Sequence, residues 1–252
     1  MTPDSPLKGW PPPPEPLCLR EDEVHVWGVE LGQFRANVRD FFETLAEDER
    51  RRAGRFHFER DRAHFVIARG VLRDILGRYL SRLPARIRFG YGPQGKPALA
   101  ETSGRPPLEF NVSHSRGLAL YAFAPGREVG LDVEYVREDF ASEEVARQFF
   151  SARELAALGS FPKGTWTRAF FNCWTRKEAY IKATGAGLSC SLSSFSVSLD
   201  PARLTALTWV EGDAEEVARW SAREIGVGTH YAAAAVARGA GWGLRCWRWE
   251  GV

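Results

Sequence analysis

Hydrophobic and polar positions follow two rhythms along this chain. Over residues 24–31, Val24, Val26 and Trp27 are set against His25 and Glu30, close to the two-residue period of a half-buried strand, with Trp27 interrupting it. Residues 44–53 are polar and helix-forming. Across residues 61–83, Phe65, Ala68, Leu72, Ile75, Leu76 and Tyr79 recur at intervals of three and four, which predicts a long amphipathic helix ended by Pro84. Residues 87–91 read as a short strand, and Gly92-Pro93-Gln94-Gly95 as a turn. Two apolar runs, 118–123 and 129–135, flank Ala124-Pro125-Gly126-Arg127, so they are expected to pair as a hairpin. Helical patterns return at 142–150, 152–158 and 170–184, and strand-rich sequence follows at 195–199, 204–210, 230–237 and 244–249.

Each half therefore mixes helices with strands, which predicts an α+β fold of two similar lobes. The expected organisation is a proline-rich leader over 1–22, an N-terminal lobe over 23–125 and a C-terminal lobe over 126–252. No repeat is visible at the level of residue identity. Pro11 to Pro14 and Pro16 favour an extended polyproline segment, read as a loose leader, with a proline-rich partner ligand or packing across a lobe as the alternatives. With 252 residues, 44% of them hydrophobic, the chain can bury a large core.

Charge and cysteine usage narrow the classes. The formal charge is +2, from 34 basic and 32 acidic residues, so no global field recruits nucleic acid or a membrane surface. Cys18, Cys173, Cys190 and Cys246 show neither CxxC pairing nor metal-ligand spacing, which favours a reducing compartment. No run approaches ~18 apolar residues and the N-terminus lacks a signal-peptide pattern. The expectation is a cytoplasmic protein with no membrane partner.

Candidate chemistry clusters in four places. Asp132 and Glu134 stand two apart on a strand, sharing one face while Leu131 and Val133 take the other. Two adjacent carboxylates repel unless a cation sits between them, and Mg²⁺, a hard ion that prefers oxygen ligands, suits that role; an ordinary exposed acidic face is the alternative. Asn111-Val112-Ser113-His114-Ser115 closes a strand with groups that bond phosphate, although turn histidines are commonly satisfied locally. Gly95-Lys96-Pro97 holds one lysine between a permissive and a rigid residue, and Arg50, Arg51, Arg52 and Arg55 form a basic run. In residues 174–188, Trp174, Glu178 and Lys182 fall on one helical face, and Gly185 and Gly187 stop the helix. Alone, Glu178 and Lys182 could be a surface ion pair adding about 0.2–0.5 kcal/mol.

Taken in order, Gly95-Lys96-Pro97, Asn111-Val112-Ser113-His114-Ser115, Gly130-Leu131-Asp132-Val133-Glu134 and the 174–188 segment resemble the Sfp-type 4′-phosphopantetheinyl transferases. The resemblance spans roughly residues 45–197. It implies two similar α/β lobes with the active site in the cleft between them. It also implies transfer of the phosphopantetheine arm of coenzyme A to a serine of an apo acyl or peptidyl carrier protein, releasing adenosine 3′,5′-bisphosphate. By the same resemblance, Asp132, Glu134 and Glu178 ligate Mg²⁺, Lys182 faces the diphosphate, and Glu178 or a metal-bound water takes the serine proton. Lys96, Ser113, His114 and Arg52 match contacts to the nucleotide end of coenzyme A, with Asn111 supporting the turn. A monomer is expected, since one chain supplies both walls of the cleft. A Mg²⁺-dependent nucleotide pyrophosphatase and a noncatalytic coenzyme A or carrier-binding module are the alternatives.

Overall fold

Seven of the eight residues of the first strand are buried, because both of its faces are covered. The computed structural model describes residues 5–92, 94–101 and 106–251; Pro93 of the expected turn and the first four leader residues lie outside them. In chain order the elements are β1 (Glu23–Glu30), α1 (Val38–Thr44), α2 (Glu47–Ala53), α3 (Glu59–Leu80), β2 (Phe89–Tyr91), β3 (Pro97–Leu99), β4 (Leu108–Ser115), β5 (Leu118–Pro125) and β6 (Val129–Tyr135). There follow α4 (Glu143–Phe149), α5 (Ala152–Gly159), α6 (Lys163–Thr184), β7 (Phe195–Val197), β8 (Leu207–Val210), α7 (Glu216–Arg219), β9 (Trp220–Glu224), β10 (Tyr231–Arg238) and β11 (Gly243–Arg248).

Two sheets and two long helices make an α+β fold of two lobes. One sheet runs β11-β1-β5-β4 and the other β6-β10-β9. Helix α3 packs Ile67, Val71, Leu72 and Ile75 against Trp27 and Val29 of β1 and Tyr121 and Phe123 of β5. The opposite faces of those strands, Val24, Val26, Leu118, Leu120 and Ala122, meet Leu131 and Val133 of β6 and the alanines of β10. Helix α6 covers the far side of the second sheet. Burial of both strand faces explains why the 118–123 run is continuously apolar and shows no period of two.

That double burial also overturns the expected hairpin. β5 pairs with β1 and β4, whereas β6 pairs with β10, so the two consecutive strands lie in different sheets. Gly126, at φ 61, lets the short connection turn from one sheet to the other. The final strand departs from a simple two-halves layout as well, since β11 joins the first sheet, parallel to β1.

The leader is not loose where it is described. Leu7 and Trp10 are buried in the core between the sheets. Trp10 Nε1 donates to Gly226 O, Gly228 N to Pro6 O, and Arg248 N to Pro11 O, each at 2.7–2.9 Å. Residues 5–11 therefore touch the second sheet's β9–β10 connection and the end of β11. Two apolar side chains outweigh the surrounding prolines, which only keep the backbone extended.

One close approach sets the position of α6. A Cβ on Gly130 of β6 would lie 1.9 Å from Ala179 O and 2.4 Å from Ala183 N. Only glycine lets the helix backbone sit this near the strand. Gly130→Ala is expected to force the two apart, at a cost near the upper end of overpacking penalties, about 3 kcal/mol. Thermal unfolding and activity measured together test this: a variant with unchanged Tm and turnover would contradict it.

Candidate active site

The site forms where the edge strand of each sheet meets α6. β4 and β6 exchange no backbone ladder; side chains of β4 take its place. Asn111 Oδ1 accepts from Leu131 N at 3.1 Å, Ser113 Oγ from Val133 N at 3.3 Å, and Ser115 Oγ from Tyr135 N at 3.0 Å. Alternate residues of β4 thus satisfy alternate N–H groups of β6, which would otherwise be buried without partners. The seam also orients the acids, because Ser113 Oγ donates to Asp132 Oδ1 at 2.8 Å and Ser115 Oγ to Glu134 Oε2 at 2.9 Å.

Helix α6 delivers Glu178 and Lys182 from above the same strand face. Lys182 Nζ lies 2.6 Å from Asp132 Oδ1 and 3.1 Å from Ser113 Oγ. Trp174, one turn before Glu178, packs among Phe140, Phe149 and Phe170 and fixes that end of the helix. Gly185 ends α6 in the left-handed conformation at φ 70. Glu178 and Lys182 line a cleft of about 580 Å³ together with Lys96, Asn111, Phe149 and Ile181.

Burial and a neighbouring charge act together on two of the carboxylates. Burial, then the charge of Asp132, raises the pKa of Glu178, with Lys182 opposing. Glu134 is raised for the same reasons in the same order, opposed by Ser115 and Lys182. A carboxyl raised by folding binds more protons in the native state than in the unfolded chain. Stability therefore falls as pH rises from the ordinary value of 4.5 through the folded value, and the whole penalty is present above it. Glu178→Gln removes that penalty. The metal-free variant is expected to have a higher Tm than the parent at pH 7 and to lose the advantage at pH 4; thermal scans at both pH values check this, and equal Tm values at pH 7 would refute it.

Asp132 is 2% exposed, and its Oδ2 has no hydrogen-bond partner among the described residues. Such an orphaned carboxylate oxygen, beside two further acids whose protonation its charge promotes, has the donor chemistry of a site for a hard divalent cation. In this arrangement Lys182 compensates Asp132 instead, and no three acidic, histidine or cysteine side chains among the described residues are gathered closely enough to hold a metal.

The remaining sequence candidates divide. Lys96 Nζ donates to Ala183 O at 3.1 Å and Val129 O at 3.4 Å, tying its loop to the end of α6, and burial lowers its pKa. Ser113 gives its one proton to Asp132 and accepts from Val133 N and Lys182, so its hydroxyl is fully committed. Asn111 lies in the seam, not in a turn. His114 points to the other side of β4 and is exposed; packing around the ring, then the charges of Lys182 and Arg52, lower its pKa. Arg52 lines a separate cleft with Arg51, Arg55 and Tyr91, its guanidinium 5.3 Å from the Phe65 ring centre.

Residues 128–236 match the model of the 4′-phosphopantetheinyl transferase superfamily, and residues 33–125 that of a 4′-phosphopantetheinyl transferase N-terminal region. Over 240 residues the chain is 38% identical to the 4′-phosphopantetheinyl transferase HetI of Nostoc sp., an alignment covering 95% of this chain and 98% of that protein. The chain belongs to the 4′-phosphopantetheinyl transferase superfamily. This transferase is also 31% identical to the 4′-phosphopantetheinyl transferase Sfp of Bacillus subtilis, over 63% of this chain and 68% of that protein. It is 28% identical to the human L-aminoadipate-semialdehyde dehydrogenase-phosphopantetheinyl transferase, over 77% and 67% respectively.

Sequence reasoning missed three features of the transferase. Lys177, next to Glu178, is not in the cleft: its ammonium is buried against both oxygens of Glu154 at 2.7–2.8 Å. Gly130 was read only as the first residue of the motif that ends at Glu134, although it carries the helix–strand contact. Ser115 was only part of a motif; the alternation Asn111, Ser113, Ser115 was the available signal, since polar residues at period two on a buried strand need partners.

Proposed function

We propose that this transferase moves the 4′-phosphopantetheine arm of coenzyme A to a serine of an apo acyl or peptidyl carrier protein, using Mg²⁺ that Asp132, Glu134 and Glu178 would hold after drawing closer together than they stand here, with Lys182 released from Asp132. The observation that carries the reading is the unpartnered Asp132 Oδ2 beside two acids of raised pKa, in a chain related along nearly its whole length to a named transferase. Bound there, Mg²⁺ would neutralise charge on the diphosphate of coenzyme A.

The chain's own residues divide the remaining work. The serine oxygen bonds to the phosphorus that carries the pantetheine, and the diphosphate P–O bond breaks toward adenosine 3′,5′-bisphosphate. Lys182 can leave Asp132 Oδ1 for the departing phosphate and supply positive charge where negative charge grows. Glu178, through a carboxylate oxygen not engaged by the metal, or a water beside it takes the serine proton. His114 and Arg52 would take the 3′-phosphate end of coenzyme A, and Lys96 the nucleotide phosphates. Ser113 and Asn111 serve these contacts indirectly by holding β6. We take the chain as dividing into lobes at 125/126, with β11 crossing back to complete the first lobe's sheet, and the working form as a cytoplasmic monomer. No helix among the described residues is long and apolar enough to cross a membrane.

Incubation with coenzyme A, Mg²⁺ and an apo carrier protein tests the reading by intact mass. The expected result is gain of the phosphopantetheine mass on the carrier with equimolar adenosine 3′,5′-bisphosphate. Cleavage of coenzyme A without a modified carrier would favour the pyrophosphatase, and binding without turnover the noncatalytic module.

A further inference from the structure

We propose that Ser115 is a positioning residue for the metal site, fixing the orientation of the Glu134 carboxylate by linking it to the backbone of β6. The inference rests on the reading of Glu134 as a Mg²⁺ ligand. Tyr135 N can only donate, and it lies 3.0 Å from Ser115 Oγ. The single hydroxyl proton is therefore free to point at Glu134 Oε2, 2.9 Å away. A closed local circuit results: the Glu134 side chain is tied, through one residue of the opposite strand, to the N–H of its own successor. One acceptor position on Oε2 is used, and the rest of the carboxylate is held without being consumed.

Ser115 suits this role better than Ser113, whose hydroxyl also receives Lys182 and so cannot be removed without disturbing a second group. It also differs from an ordinary stabilising serine. If Ser115 only satisfied Tyr135 N, its loss would lower stability and leave metal affinity unchanged. If it aims Glu134, its loss acts on the metal, because hydrogen bonds to ligating carboxylates fix their orientation.

The test compares Ser115→Thr, which keeps the hydroxyl, with its near-isostere Ser115→Val, which lacks it; strands accept both shapes. Each full-length variant is titrated with Mg²⁺ at saturating coenzyme A, and the midpoint is read from the rise in Tm, with the metal-free Tm as the check on folding. Ser115→Val is expected to raise the midpoint roughly 10- to 100-fold and Ser115→Thr to stay within about threefold of the parent. In a Glu134→Gln background, Ser115→Val should add no further shift, because the group it orients is already altered. Should the valine variant fail to fold, Ser115→Ala carries the same comparison. A parental midpoint in Ser115→Val or Ser115→Ala, or an equal shift with and without Glu134, would overturn the positioning role alone. If the parent itself shows no Mg²⁺-dependent midpoint, the metal reading falls and takes this inference with it.

Discussion

Asp132→Asn is expected to lower phosphopantetheine transfer roughly 100- to 1,000-fold, the scale on which loss of one preorganised electrostatic contact acts in an active site. The substitution keeps the shape of the side chain and an oxygen that still accepts from Ser113 and Lys182. What disappears is the charge and the second carboxylate oxygen, the one that has no partner in the folded chain. The fold should survive, because the lost group serves neither the core between the sheets nor the seam. Initial rates of carrier modification across a Mg²⁺ titration, with a parallel Tm, provide the check. Near-parental turnover at saturating Mg²⁺ would remove Asp132 from the metal site.

Lys177→Met should instead be a stability variant, costing about 3–5 kcal/mol, the usual penalty for stranding one member of a buried ion pair. Lys177 and Glu154 are each 1% exposed, and the lysine also donates to Phe195 O at 2.8 Å. Glu154 is the hub: its carboxylate accepts from Ser151 N at the start of α5 and from Val197 N in β7, both at 2.8 Å. Without the ammonium, that carboxylate remains buried with only neutral donors. Urea unfolding should show a lower midpoint, and the double variant Lys177→Met with Glu154→Gln should recover more than half of the loss. A change under about 1 kcal/mol would mean that water reaches the pair. Adjacent residues of one helix thus face different tasks, Lys177 inward to the lobe and Glu178 outward to the cleft.

The parts of this fold that were legible in sequence are those where a single buried face imposes its period. Helix α3, expected over 61–83 from apolar spacing, runs Glu59–Leu80 and stops at a left-handed Ser81 before Pro84 is reached, and α6 ends at the glycines that marked its exit, although it begins at Lys163, seven residues before its pattern became clear. Asp132 and Glu134 do share a face against Leu131 and Val133, which pack between the sheets. The pairing of β5 and β6 was not legible, because a strand buried on both sides carries no sign of which neighbour it takes. Nor was the docking of the leader, since Leu7 and Trp10 are two isolated apolar residues among prolines. β9 was missed for a related reason: Trp220-Ser221-Ala222-Arg223-Glu224 is short and mixed in character, and becomes a strand by pairing with β10.

A backbone ladder between strands is indifferent to sequence: almost any residue can replace another without losing a rung. The joint between β4 and β6 has no such immunity, because its three rungs are the side chains of Asn111, Ser113 and Ser115. The stiffness of the cleft is therefore heritable at three codons. Random mutation, or an engineer, can loosen or tighten the opening between the sheets one hydroxyl at a time, while the rest of each sheet stays out of reach of such tuning.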